Sequence, residues 1–201
     1  MFIVFDGLDG TGKSTQVSIL SKKLENVKLI KCPGRTGPIG QLIDKYLKKE
    51  IVIENPKAVQ LLFSADRWQQ QNQIKNWLKN DQIVICDRYV YSGIAASLSM
   101  GIDTKWAWQL ETGLIKPDII FYFDKPIVNK NEEIFETDTF QKKFKHNFST
   151  IISSMNDIVY HIHTDKTIDE TGDLILNLYK THINDISSHH FDPKLEDMNV
   201  S

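Results

Sequence analysis

The sequence predicts an α/β fold, a doubly wound parallel sheet covered on both faces by helices. Short apolar runs alternate along the chain with longer helical patterns, the order that buries parallel strands beneath crossover helices. A glycine-rich turn follows the first run and opens the first helix. The apolar share of 41% and charged share of 25% leave enough of both kinds of residue for a buried core and a wet surface.

Residues 2–5 read as a buried strand and 13–25 as a helix, with Val17, Leu20 and Leu24 on one face. Residues 27–30 form the second strand candidate, and 38–49 and 56–80 the next two helices. A third strand, 83–86, stops at Asp87-Arg88; helical patterns then run to about residue 114. Strand 119–123, a polar loop, helix 137–155, strand 158–162 and helix 168–183 complete the order. One domain is expected over 1–186, with a polar tail over 187–201.

A net charge of −2 provides no global basic field for nucleic acid or an anionic membrane. Two cysteines, Cys32 and Cys86, make no disulfide framework, which suits a reduced, cytoplasmic setting. The apolar start at residues 1–5 is too short for a signal core, and no run approaches the roughly 20 residues of a membrane span. A soluble protein is expected. The six histidines show no metal-ligand spacing, and Trp68, Trp77, Trp106 and Trp108 read as packing residues.

Gly7-Leu8-Asp9-Gly10-Thr11-Gly12-Lys13-Ser14 matches G-x-x-x-x-G-K-[ST] between a strand and a helix, the P-loop context. Backbone N–H groups of such a turn point at phosphate oxygens, Lys13 adds a cation, and the Ser14 hydroxyl suits Mg²⁺. Gly7, Gly10, Thr11, Gly12, Lys13, Ser14 and Thr15 are thus the expected ATP cradle. Asp87 and Arg88 follow a strand at its carboxyl end, where ligands sit in doubly wound sheets. Asp87 can hold Mg²⁺ and Arg88 a phosphate; the plainer alternative is a helix cap beside a surface arginine. Arg35 follows another strand and suits a second anion, though a loop arginine alone is more often solvated. Phe63 and Arg67 share a helix face, either to stack on and bond a base or as a core ring beside a surface cation.

Together these stretches resemble thymidylate kinase, in its eukaryotic and large-DNA-virus branch. They are the P-loop with Thr15-Gln16, Pro33-x-Arg35, 61–68, Asp87-Arg88-Tyr89-x-x-Ser92-Gly93, 113–118 and Glu136-x-x-x-Phe140-Gln141. The resemblance implies a five-stranded P-loop NTPase sheet, usually in a homodimer. It also implies Mg²⁺-dependent transfer of the ATP γ-phosphoryl group to dTMP. Asp9 would bind the acceptor sugar, Arg35 and Arg88 its phosphate, and Phe63 and Arg67 its base. Ser92, Gly93 and Gln141 would line the same pocket, and Asp9, Lys13 and Arg88 would surround the transferred group. Gly10 departs from the pattern, standing where this branch carries a basic residue. Lys130, in an expected lid at about 127–137, or Arg88 would then take over that charge. Phe135 replaces a common Tyr, and Ala96 a common aromatic, which implies a roomier acceptor pocket. A deoxynucleoside kinase would leave Arg35 without a partner, and a mere nucleotide-binding module would leave the whole acceptor set idle.

Overall fold

The computed structural model describes residues 1–124, 133–163 and 165–188. The predicted α/β class holds: five parallel strands lie in the order β2-β3-β1-β4-β5. They are β1 (Phe2–Gly7), β2 (Val27–Lys31), β3 (Ile83–Asp87), β4 (Ile119–Phe123) and β5 (Val159–Ile162). The helices are α1 (Lys13–Lys23), α2 (Gly37–Leu47), α3 (Pro56–Lys79), α4 (Val90–Ser99), α5 (Thr104–Glu111), α6 (Asp138–Ser153) and α7 (Ile168–Ser188).

Strand alternation sorts the core into two layers. Phe2, Val4, Val84, Cys86, Ile120 and Tyr122 face α4 and α6, where Ile94, Phe148 and Ile151 meet them. Ile3, Phe5, Ile85, Phe121 and Phe123 face α1 and α7, against Val17, Leu20 and Ile175. Every residue of β1 is buried, whereas β2 alternates at the sheet edge. Among the described residues no helix is long and apolar enough to cross a membrane.

Local chemistry fixes the helix starts. Asn55 accepts from Lys57 N–H ahead of Pro56, Asp103 from Trp106 N–H and Thr137 from Phe140 N–H. Thr167 and Glu170 form a reciprocal capping box ahead of α7, each accepting the other's backbone N–H. That helix reaches Ser188, past the expected stop at 183 and across the expected tail boundary. Residues 189–201 of the expected tail, and Lys130 with most of the expected lid, lie outside the described residues. Of the tryptophans, Trp77 and Trp108 pack on the core as expected. Trp68 is an exposed side chain whose Nε1 donates to the Leu110 carbonyl.

Helix α1 leaves β1 toward one face and α4 leaves β3 toward the other, and β1 and β3 are neighbours. Between their carboxyl ends opens the crevice where such sheets bind ligands.

Candidate active site

The turn after β1 is shaped by close backbone packing. Gly7 has φ 124°, and a Cβ there would lie 2.1 Å from the Phe123 carbonyl oxygen. Leu8 N–H donates to that oxygen at 3.1 Å, so the turn rests on the end of β4. Gly12, with φ 85°, caps α1 in the left-handed region.

Asp9, Gly10, Thr11, Gly12, Lys13, Ser14, Thr15, Asp87 and Arg88 line one pocket of about 180 Å³, so the structure unites the predicted phosphate cradle with the predicted end of β3. Lys13 is buried; its Nζ donates to the Leu8 carbonyl and, at 3.3 Å, to Thr11 Oγ1. Burial, with the Arg88 charge second, pushes its pKa down to about 7. Ser14 Oγ donates to Asp87 Oδ2 at 2.7 Å.

Arg88 holds the centre. It is a non-glycine residue at φ 68°, a conformation costing about 1 kcal/mol or more that favours a functional reading. Its Nη1 donates to Gly7 O at 2.6 Å and Ser92 Oγ at 3.0 Å, and its Nη2 to Asp9 Oδ1 at 2.5 Å. Burial opposes its charge, yet the Asp9, Asp6 and Asp87 carboxylates raise its pKa. Burial likewise opposes ionisation of Asp9, but Arg88 and then Lys13 hold its pKa below the usual range.

A second cluster adjoins through Asp9. Gln141 Nε2 donates to Asp9 Oδ2 at 3.3 Å and to the Phe135 carbonyl at 2.6 Å, while its buried Oε1 has no partner among the described residues. The Phe135 ring lies 6.0 Å from that of Phe63 and 4.7 Å from that of Phe140. Arg35 is exposed and joined to Asp44 at 2.8 Å and Glu133 at 2.7 Å. Ion pairs this accessible are worth about 0–1 kcal/mol, so a phosphate can displace them.

Arg67 departs from the plainer reading of a surface cation: it is interior, 4% exposed, and bidentate to Glu111 at 2.7 and 2.5 Å. Gly93 makes room for it, since a Cβ there would meet Arg67 Nη2 at 2.6 Å.

Sequence reasoning missed five residues. Asp6 is buried beneath the turn, accepts from the Ser92 hydroxyl and from the N–H groups of Gly7, Tyr89 and Ser92, and has its pKa raised by burial. Its position at the end of an apolar strand was the available signal. Asp66 accepts from Gly34 N–H at 3.0 Å and so anchors the loop carrying Arg35. Glu111 and Glu133, partners of Arg67 and Arg35, carry no local signature. Lys31, at the end of β2, lines the P-loop pocket.

The chain is similar to known proteins of one family. The family model described as thymidylate kinase matches residues 5–175. The thymidylate kinase of Dictyostelium discoideum is 37% identical over 190 residues, 89% of this chain and 84% of that one. The Plasmodium falciparum thymidylate kinase is 44% identical over 153 residues, 71% and 72% of the two chains. The structure of Candida albicans thymidylate kinase, which is described as having broad substrate specificity, superposes with a TM-score of 0.85 at 32% identity. It covers 98% of this chain and 97% of its own. A turn built for phosphate, joined through Asp9 and Arg88 to a second polar and aromatic cluster, thus comes with a family assignment: the chain belongs to the thymidylate kinase family.

Proposed function

We propose that this chain transfers the γ-phosphoryl group of ATP to dTMP, giving ADP and dTDP on the way to dTTP, with each site residue in the role that its place suggests. The observation that carries the reading is the Asp9–Arg88 pair at 2.5 Å, which joins the P-loop pocket to the Phe63–Phe135–Gln141 cluster. Two nucleotides bound on either side of that pair bring donor and acceptor phosphates together, and phosphoryl transfer is mostly positioning and charge neutralisation.

On the donor side, the turn from Gly7 to Thr15 cradles the triphosphate and Lys13 neutralises it. On the acceptor side, Arg88 and Arg35 take the monophosphate, Asp9 the sugar hydroxyl, and Gln141 Oε1 a further donor. Phe63 stacks on the base and Arg67 bonds its edge, held in place by Glu111 and given space by Gly93. Ser92 orients Arg88. Mg²⁺ fits beside Ser14 and Asp87, two hard oxygen donors 2.7 Å apart at the pocket wall, and would supply charge neutralisation at the donor phosphates. Leu61 and Trp68, exposed apolar side chains seven residues apart on α3, support a homodimer through that face.

Arg35→Ala tests the acceptor assignment. The KM for dTMP is expected to rise at least about tenfold while the KM for ATP changes less than about threefold. Equal changes in both constants, or none, would remove Arg35 from the acceptor site.

A further inference from the structure

Two polyanionic substrates must meet in the crevice, and the cations around the P-loop pocket are unequally available. Lys13 is buried on the Leu8 carbonyl and Thr11, and Arg88 is engaged by Gly7, Ser92 and Asp9. Lys31 is the third cation lining the pocket, with a side chain 56% exposed. Its described contact is a loose one, Nζ to Asp87 Oδ2 at 3.5 Å.

Strand geometry fixes the side from which Lys31 approaches. Lys31 is the register partner of Asp87 in the β2–β3 ladder, and Leu29 is that of Ile85. Alternation therefore puts Lys31 on the Ile85 and Asp87 face, the face against which α1 packs. Asp87 reaches Ser14 in the first turn of α1, so Lys31 stands beside the donor cradle, not beside the acceptor cluster on the opposite face. The P-loop itself offers Gly10 on this rim, which has no side chain to contribute.

We propose that Lys31 is a further binding and catalytic cation of the donor site, contacting the terminal phosphates of ATP and supplying the charge that Gly10 cannot. The proposal rests on the kinase reading given above. In the transfer, an acceptor phosphate oxygen forms a bond to the γ-phosphorus as the bond to the β-bridging oxygen breaks, its electron pair leaving on ADP. Lys31 stays protonated throughout and exchanges no proton. It stabilises charge on the oxygens between which the phosphoryl group passes.

The test compares wild type, Lys31→Met, Lys31→Arg and Lys130→Met. The lysine is accessible and its ion pair long, so Lys31→Met is expected to fold normally, with an unchanged melting temperature. Binding gives a readout that does not require turnover. Lys31→Met should weaken a non-hydrolysable ATP analogue about tenfold and ADP less than about threefold, with Lys31→Arg close to wild type. With dTMP as acceptor, kcat of Lys31→Met should fall about ten- to a hundredfold at saturating Mg²⁺, with the KM for dTMP little changed. Equal loss for triphosphate and diphosphate, a kcat within about twofold of wild type, or a kcat restored by added Mg²⁺ would overturn the assignment. So would a loss confined to Lys130→Met. A wild type that turns over no dTMP, with the triphosphate-specific binding loss still seen in Lys31→Met, would overturn the kinase reading and leave Lys31 in place as a donor-phosphate contact.

Discussion

Lys13→Met is expected to reduce kcat by about a thousandfold or more while leaving the fold intact, because it removes the P-loop's buried cation. Lys13 is 5% exposed, and its described hydrogen bonds go to two neutral oxygens, Leu8 O and Thr11 Oγ1. An ammonium so placed gains far more from a phosphate than it gives to the fold. Its pKa shift makes the same point. Burial, then Arg88, lowers the folded pKa from 10.5 to about 7. Between those values the unfolded chain holds a proton that the folded chain has released, so this group makes stability rise with pH across that window. Below pH 7 both states are protonated and its effect on the slope vanishes. The methionine variant should therefore melt no lower than wild type near neutral pH, and should lose that part of the slope between pH 7 and 10. Steady-state rates with ATP and dTMP, beside thermal melts at several pH values, check both statements. Retained turnover would contradict the assigned role of Lys13.

The largest effect on stability is expected from Glu111→Ala. Arg67 and Glu111 are 4% and 2% exposed and bonded in a fork. Removing the carboxylate leaves a buried guanidinium uncompensated, at a cost of about 3–5 kcal/mol. For a chain of this size each kcal/mol moves the melting temperature by roughly 2–4 °C, so a loss of about 6–20 °C is expected. Replacing the pair together, Arg67→Met with Glu111→Leu, should recover much of that stability, since apolar side chains of similar volume often match a buried ion pair. The double variant should nevertheless bind dTMP poorly, because it lacks the donor proposed for the base edge. Calorimetric melts and dTMP titrations of the single and double variants separate these roles. A Glu111→Ala protein that melts like wild type would show that Arg67 does not depend on Glu111.

Lys13 and Glu111 differ in how far the sequence announces them. Lys13 was legible because the P-loop is contiguous: strand, glycine turn and helix lie side by side in sequence and specify one another locally. The place of Asp87 and Arg88 beside the P-loop was legible for a related reason, since both close an apolar run that ends at the ligand-binding edge of a parallel sheet. Strand 119–123 was read with its observed limits because all five residues are buried and the run has clear ends. Glu111 was not legible. It meets Arg67 across 44 residues, and nothing in the α5 sequence separates a buried glutamate from a solvated one. Lys31 lay hidden at an edge strand whose mixed burial looks like any other, and only the register with Asp87 gives it a direction. Arg88's left-handed backbone likewise depends on tertiary packing and leaves no mark in composition.

The extent of α7 shows a milder form of the same limit. Ile175, with Leu178 and Tyr179 at helical spacing from it, packs α7 on the core, but the stretch near 183 carries no glycine or proline stop signal, and the helix continues to Ser188.

In the proposed reaction a donor triphosphate and an acceptor monophosphate meet at the Asp9–Arg88 pair. The measurement that tests it most directly is the initial rate of ADP formation from Mg²⁺–ATP with dTMP, with thymidine, with other deoxynucleoside monophosphates, and with no acceptor. Rapid ADP release with dTMP, matched mole for mole by dTDP, is the predicted result. Slower turnover of other monophosphates would fit the roomier acceptor pocket that the resemblance implies from Ala96 in place of an aromatic. Release that requires unphosphorylated thymidine, or that proceeds equally without any acceptor, would rule out a monophosphate acceptor at this pair.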